Sequence, residues 1–263
     1  MNVQVLLATM HQTDHSLLEK MNIQTDIIVG NQCDQNSIEN FEYEKHNVLW
    51  LSFAERGVGL NRNNALMRAN SDIVLFADDD VVYYDDYADT ICKYYQMHPK
   101  ADVVIFNFKM RRGSGEYYDR VKKAGRVTRW TASKYGTYCI TARTERLRMA
   151  NIYFHLQFGG GAKYSCGEDS IFLQDCIKKG LRVYATKDEI GVLDHGVSTW
   201  FNGYTDKYFY DKGIVFSMIH PCSAYLFSFF HCIKNRKKYC SYGCKDAIMQ
   251  MFAGVHHRRK KQL

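Results

Sequence analysis

Through the first hundred residues, short apolar runs alternate with polar stretches of helical spacing. Residues 3–8, 26–29, 48–51, 73–76 and 103–106 read as strands, being brief and rich in Val, Ile, Leu and Phe, whereas 16–21, 60–69 and 86–97 read as helices. Strand and helix in turn predict an α/β domain: a mostly parallel central sheet with helices on both faces, whose ligands bind beyond the carboxyl ends of the strands. Residues 109–129 then turn basic, with Gly113, Gly115 and Gly125 and little periodicity, which predicts a long mobile loop. A strand over 138–141, a flexible turn at Gly159-Gly-Gly161, a helix over 169–179 stopped by Gly180 and a strand over 183–185 complete the pattern.

Composition alters this picture little. The chain has 263 residues, 46% hydrophobic with only 2 Pro, which suits one globular body without a dividing linker. There is no internal repeat, and no apolar run approaches the length of a membrane span. The first apolar stretch stops at Ala8 and lacks a basic flank, so a signal peptide is not expected and a cytoplasmic location is. Nine cysteines in such a chain are expected to be reduced thiols, and Cys240-x-x-x-Cys244 with His256 and His257 has poor spacing for a closed zinc site.

Charge matters more. The net +7 is uneven: residues 109–148 carry twelve Lys and Arg against Glu116, Asp119 and Glu145, and the chain from His231 onward carries nine against Asp246. A basic middle and a basic tail around an acidic body suggest two anionic partners, such as membrane lipid and phosphate.

The most informative segment is Ile73-Val-Leu-Phe-Ala-Asp-Asp-Asp-Val-Val82, an apolar strand ending in three adjacent carboxylates, Asp78, Asp79 and Asp80. Such repulsion calls for a counter-cation, and oxygen ligands at a strand end suit Mg²⁺ or Mn²⁺ bridged to a diphosphate. The plainer alternative is an acidic turn before a helix that starts near Asp86. Downstream, Tyr164-Ser-Cys-Gly-Glu-Asp169 puts Glu168 and Asp169 at the opening of a helix, where a carboxylate is either a general base or a simple cap.

Taken in chain order, these segments resemble family 2 inverting glycosyltransferases of the GT-A fold over roughly residues 3–195. Gly57-Val-Gly-Leu-Asn-Arg-Asn-Asn-Ala65 is similar to the family's Gly-x-x-x-Ala-Arg-Asn-x-Gly helix, Asp78-Asp-Asp80 stands in place of its Asp-x-Asp motif, and Gly167-Glu-Asp169 in place of its Glu-Asp motif. The resemblance implies a Rossmann-like αβα sandwich over 1–220, with a nucleotide-binding half at 1–108 and an acceptor half at 109–220, followed by an aromatic and basic extension at 221–263. It implies that Asp80, with Asp78, binds a Mn²⁺ or Mg²⁺ ion on the diphosphate of a UDP-sugar. Asp169 would then deprotonate the acceptor hydroxyl and Glu168 would orient a sugar. Thr9, Met10, Asn31, Arg62, Asp78 and Asp79 would surround the nucleotide. His195, in Leu193-Asp-His-Gly, resembles the histidine many such enzymes place near the metal. The second strand departs from the family, running Val29-Gly-Asn31-Gln-Cys-Asp34 where Asp-Asp or Asp-Asn before Ser is common, and the first has Ala8-Thr9 for Pro-Thr.

The acceptor implied is a carbohydrate or a lipid-linked oligosaccharide of a surface polysaccharide such as capsule, exopolysaccharide or O-antigen. The aromatic cluster Trp200, Phe201, Tyr204, Tyr208 and Tyr210 reads chiefly as packing. The stretch 225–233 beside Lys234-Asn-Arg-Lys-Lys238 reads either as a peripheral contact with anionic membrane at the inner face of the plasma membrane or as a core helix with a solvated basic end. Two other classes fit less well. A metal-dependent phosphotransferase or phosphatase expects the acidic motif after the first strand with Thr two residues beyond it, where this chain has Val82. A non-catalytic basic binding module leaves the carboxylates unexplained, and no nucleic acid is expected as a partner.

Overall fold

The computed structural model describes residues 1–111, 115–193, 203–239 and 241–261. Strand β1 (Val3–Met10) is buried along nearly its whole length, as the unbroken apolar run requires of a strand covered on both faces. It pairs in parallel with β2 (Asp26–Gln32) on one side and β5 (Ile73–Asp78) on the other, and β2 pairs in parallel with β4 (His46–Phe53). The register sets Thr9 opposite Asn31, Asn31 opposite Ser52, and Ala8 opposite Asp78. Four carboxyl ends therefore share one edge of the sheet, where ligands bind in open α/β folds.

Among the described residues the sheet has eleven strands, with a main path β3-β4-β2-β1-β5-β10-β7-β11-β6. Here β3 is Ser37–Tyr43, β6 Val81–Tyr83, β7 Val103–Arg111, β10 Ile140–Arg143 and β11 Val183–Leu193. Antiparallel β10 wedges between β5 and β7, which makes an otherwise mostly parallel sheet mixed. Short β6 pairs antiparallel with the end of β11, Val81 opposite Leu193, so the turn holding Asp79 and Asp80 is anchored on both sides. Helices α2 (Val58–Arg68), α3 (Tyr87–Met97) and α5 (Glu168–Lys178) pack on this sheet, and α1 (Leu17–Lys20) and α4 (Thr144–Met149) are single short turns.

Several expectations change. The 37–43 stretch reads as no element in the sequence yet forms edge strand β3, joined to β4 through Glu44 and Lys45, both at positive φ (47° and 71°). Two left-handed residues close a tight hairpin, but Glu-Lys lacks the usual Asn-Gly signal. The 109–129 segment is not one long mobile loop in its described part. There β7 runs on to Arg111, β8 (Tyr117–Asp119) pairs with it, and β9 (Gly125–Arg126) pairs with β11, while Val121 and Val127 are buried. Lys109 holds Asp119 at 2.7 Å and Glu189 at 2.9 Å, which ties this basic stretch to the sheet.

The chain ends in three helices, α6 (Asp206–Ile219), α7 (Ala224–Lys234) and α8 (Cys244–Lys261). Gly213 of α6 and Gly254 of α8 face each other's helices so closely that a Cβ on either would strike backbone, of Met251 and Tyr210 respectively. Phe209, Cys232, Tyr239, Ala247 and Met251 form the buried centre of this layer, with Tyr204 and Tyr208 packed against it as the sequence reading favoured. The eight described cysteines are free thiols.

Candidate active site

Leaving β1, the chain turns at His11, whose φ of 55° is left-handed, and its N–H donates to the Gln32 carbonyl. The turn returns Gln12 over the strand ends, where its amide donates to Thr9 Oγ1 at 3.0 Å and to the Met10 carbonyl at 3.1 Å. Thr9 in turn donates to Asp79 Oδ2 at 2.5 Å. Asn31 is only 1% exposed, and its amide is committed: Oδ1 accepts from Gln12 N, and Nδ2 donates to Gln12 O and to Ser52 Oγ. It fixes the Gln12 turn from behind rather than standing at the surface.

Arg62 reaches the same edge from α2. That helix starts at Gly57, whose N–H donates to Gln32 Oε1 at 2.8 Å, and it lies so near β2 that a Cβ on Gly30 would be 2.5 Å from Asn61 Oδ1. The Arg62 side chain is 4% exposed and forks between two carboxylates, with Asp78 Oδ1 at 2.6 Å and Glu168 Oε1 at 3.3 Å. Burial works against its charge, yet Asp78 and Glu168 hold the guanidinium protonated. Asn63 locks the neighbouring segment by donating to Phe154 O and accepting from Phe154 N, both at 2.8 Å.

Glu168 and Asp169 open α5, where the helix dipole favours negative charge. Their entry turn needs Gly167 at φ 97°, because a Cβ there would come within 2.5 Å of Val215 on α6. Buried Asp211 of α6 accepts from Ser165 N and Oγ, both at 2.9 Å, and from Lys207 at 2.7 Å, bracing that turn. The Gly159-Gly-Gly161 turn is pinned, not flexible: the Gly160 carbonyl accepts from Val58 N at 2.9 Å, and a Cβ on Gly159 would sit 2.9 Å from Glu168 Cδ. Burial first, then neighbouring Asp169, pushes the Glu168 carboxyl above its usual range, against the pull of Arg62. Asp169 Oδ1 accepts from Ser170 N at 2.5 Å, a bond to the next residue; the N-cap position is Gly167, so Asp169 does not cap the helix as the sequence alternative had it.

The acidic triplet closes β5 with Asp78 and fills the turn to β6 with Asp79 and Asp80, not a helix N-terminus, since α3 opens at Tyr87 after β6. Burial, followed by Asp78 and Asp79, raises the Asp80 carboxyl from 3.8 to about 6. Among the described residues no three His, Cys, Asp or Glu side chains converge as a metal cage. The donor set still fits Mg²⁺ or Mn²⁺. Such ions are held by one or two carboxylates together with substrate phosphates, and the negative charge of Asp78 and Asp79, which adds to burial in raising Asp80, is an excess a cation relieves. Within the triplet, Asp78 is engaged by Arg62 and Asp79 by Thr9. His195, Trp200, Phe201 and Cys240 lie outside the described residues, so the histidine assignment is not placed.

The raised Asp80 carboxyl has a pH signature. The folded state holds its proton between about pH 4 and 6 where the unfolded chain has lost it, so stability falls as pH rises through that window. Without divalent cation, Asp80→Asn is therefore expected to stabilise the protein by about 1–2 kcal/mol at pH 7.5, discounted for partial exposure, and by much less at pH 4. Urea unfolding at both pH values measures this, and an equal gain at both would contradict it.

Sequence reading reached Thr9, Arg62, the triplet and Glu168-Asp169, and the fold brings these together. Gln12, Ser52 and Asp211 escaped it. Gln12 and Ser52 carried one readable signal, their place at or just past a predicted strand end.

The sequence profile of Glycosyl transferase family 2 matches residues 7–166, more than half the chain, and ends just before Glu168. No curated protein matches. Among solved structures, Staphylococcus aureus TarS 1–349 is similar at 17% identity and a TM-score of 0.59, over 83% of this chain and 65% of that one. Its complex with UDP-GlcNAc gives 18% and 0.61 over 83% and 66%, and its complex with UDP gives 18% and 0.60 over 83% and 64%. The chain thus spans slightly less than two thirds of the TarS fragment, and the likeness is one of fold, the GT-A arrangement.

Proposed function

From the premise that this chain belongs to glycosyl transferase family 2 and is a glycosyltransferase, we propose that it moves a sugar from a UDP-sugar to a carbohydrate hydroxyl, with inversion and with a divalent ion on the diphosphate. The observation that carries the reading is the Arg62 fork, which ties the β5 acidic end to the α5 acidic opening and so makes one site of two remote motifs. The choice of UDP is supported by the fold likeness to TarS, which was crystallised with UDP and with UDP-GlcNAc.

In this reading the strand ends at Thr9, Met10 and Gln12 receive the nucleoside, and Asn31 with Ser52 keeps that turn in place. Asp80, assisted by Asp78, would hold Mn²⁺ or Mg²⁺, which neutralises charge on the departing diphosphate. Arg62, itself buried, keeps Asp78 and Glu168 at fixed separation. Glu168 orients a sugar hydroxyl, and Asp169 accepts the proton of the attacking hydroxyl at its free oxygen while Oδ1 stays bonded to Ser170 N. The acceptor proposed is a carbohydrate, free or lipid-linked, in surface-polysaccharide synthesis; it rests on the family resemblance and on the basic tail.

Thermal unfolding with a nucleotide panel tests this directly, because a ligand bound only by the folded state raises the melting temperature. UDP with Mn²⁺ is expected to raise it, by an amount corresponding to about 2.7 kcal/mol when UDP stands at a hundred times its dissociation constant. Asp80→Ala is expected to abolish the Mn²⁺-dependent part. A rise with UDP that ignores Mn²⁺ and Asp80 would remove the metal, and no rise with any nucleotide would remove the donor assignment.

A further inference from the structure

Helix α7 carries apolar residues on its outward face. Leu226 is 55% exposed, Phe229 42%, Phe230 58% and Ile233 39%, at spacings of three and four that place them on one side. Its opposite side is already used, since Ala224, Ser228 and Cys232 are buried against α6 and α8. The outward side is therefore not core waiting to be packed within the fold. Trp130 widens the patch: it is 66% exposed and stacks at 5.6 Å on Phe227 and at 5.4 Å on His220. A cluster of large apolar side chains in water marks an interaction surface.

The charges around it indicate what covers it. Lys234 closes the helix and Arg236, Lys237 and Lys238 follow it, all exposed, and Arg259 of α8 stands over the Tyr225 ring at 4.8 Å near the other end. From Pro221 to Tyr239 there is no Asp or Glu. A rim of one sign around an aromatic face complements a layer that is anionic at its surface and apolar just beneath, and Trp and Phe favour that boundary. No helix among the described residues is long and apolar enough to cross a membrane. We propose that α7 lies on an anionic membrane surface, with Leu226, Phe229, Phe230, Ile233 and Trp130 entering the headgroup boundary and the flanking Lys and Arg meeting lipid phosphates.

Co-sedimentation of the full chain with phosphatidylcholine vesicles, with and without an equal part of phosphatidylglycerol, tests the proposal. Binding is expected only to the mixed vesicles and should weaken with added salt. Phe229→Ser with Phe230→Ser is expected to reduce partition about tenfold or more. Lys237→Gln with Lys238→Gln should cost about fivefold for each charge removed. All four side chains are exposed, so both variants should keep the parent melting temperature, which separates lost docking from lost fold. Equal binding to neutral vesicles, or binding indifferent to the Phe pair, overturns the proposal. So does concentration-dependent self-association abolished by the Phe pair, which would assign the face to a second copy of the chain. The assay needs neither nucleotide nor acceptor, so its failure leaves the transferase reading intact, and failure of UDP to bind leaves this one intact.

Discussion

Asp169→Asn is expected to lower turnover by about 10²–10⁴-fold while leaving UDP-dependent stabilisation unchanged, because a general base contributes on that scale and the donor does not depend on it. The substitution is close to isosteric. Its Oδ1 can still accept from Ser170 N, now at 2.5 Å, so the opening of α5 should persist. What disappears is the capacity to take a proton. The competing role is charge at the helix N-terminus, worth about 0.3–1 kcal/mol, which predicts a small drop in stability and near-normal turnover. Measuring kcat beside the melting temperature separates the two. Turnover within a few-fold of the parent would show that the base lies elsewhere.

Arg62→Met should have the largest effect on stability, a loss of about 3–5 kcal/mol, because removing one partner of a buried ion pair strands the others. Arg62 is 4% exposed and serves Asp78 and Glu168 together. Without it, Glu168, already raised by burial and by Asp169, faces uncompensated negative charge. The deficit should therefore be greatest at neutral pH and shrink as the solution is acidified, since protonation relieves a carboxyl whose folded value is raised. Adding Glu168→Gln to the Met variant should recover part of the loss, giving a non-additive cycle of the size seen for residues in contact. Strict additivity would mean that the Arg62–Glu168 contact at 3.3 Å carries little energy and that Asp78 is the partner that matters.

Much of this protein was legible because its information is local. An apolar run ending in Asp78, Asp79 and Asp80 announces a buried strand that meets something cationic, and alternation of such runs with helical stretches announces an α/β sheet. Gly57 and Gly167 entered the sequence reading only within the family-like motifs; their φ values of 122° and 97° at the helix entries emerge from the structure. Strand β3 was invisible for the converse reason: it is an edge strand with exposed Glu39 and Glu42, closed by a turn without the usual residues. The basic 109–129 stretch misled because charge and glycine suggest a loose loop, whereas it folds back so that β8 pairs with Lys109 to Arg111 at the end of β7, and β9 pairs with the distant β11.

The tertiary structure decided how the motifs combine. Nothing in local periodicity says that antiparallel β10 enters between β5 and β7, or that Arg62 spans 106 residues to reach Glu168. Nor does it say that Asn31 spends its amide on Gln12 and Ser52 instead of facing the site, or that α7 turns Phe229 and Phe230 outward. Sequence spacing fixes which side of its own element a residue occupies. Which neighbour lies there, and whether water does, depends on strand register and helix packing between distant segments, and those are settled only when the whole core closes.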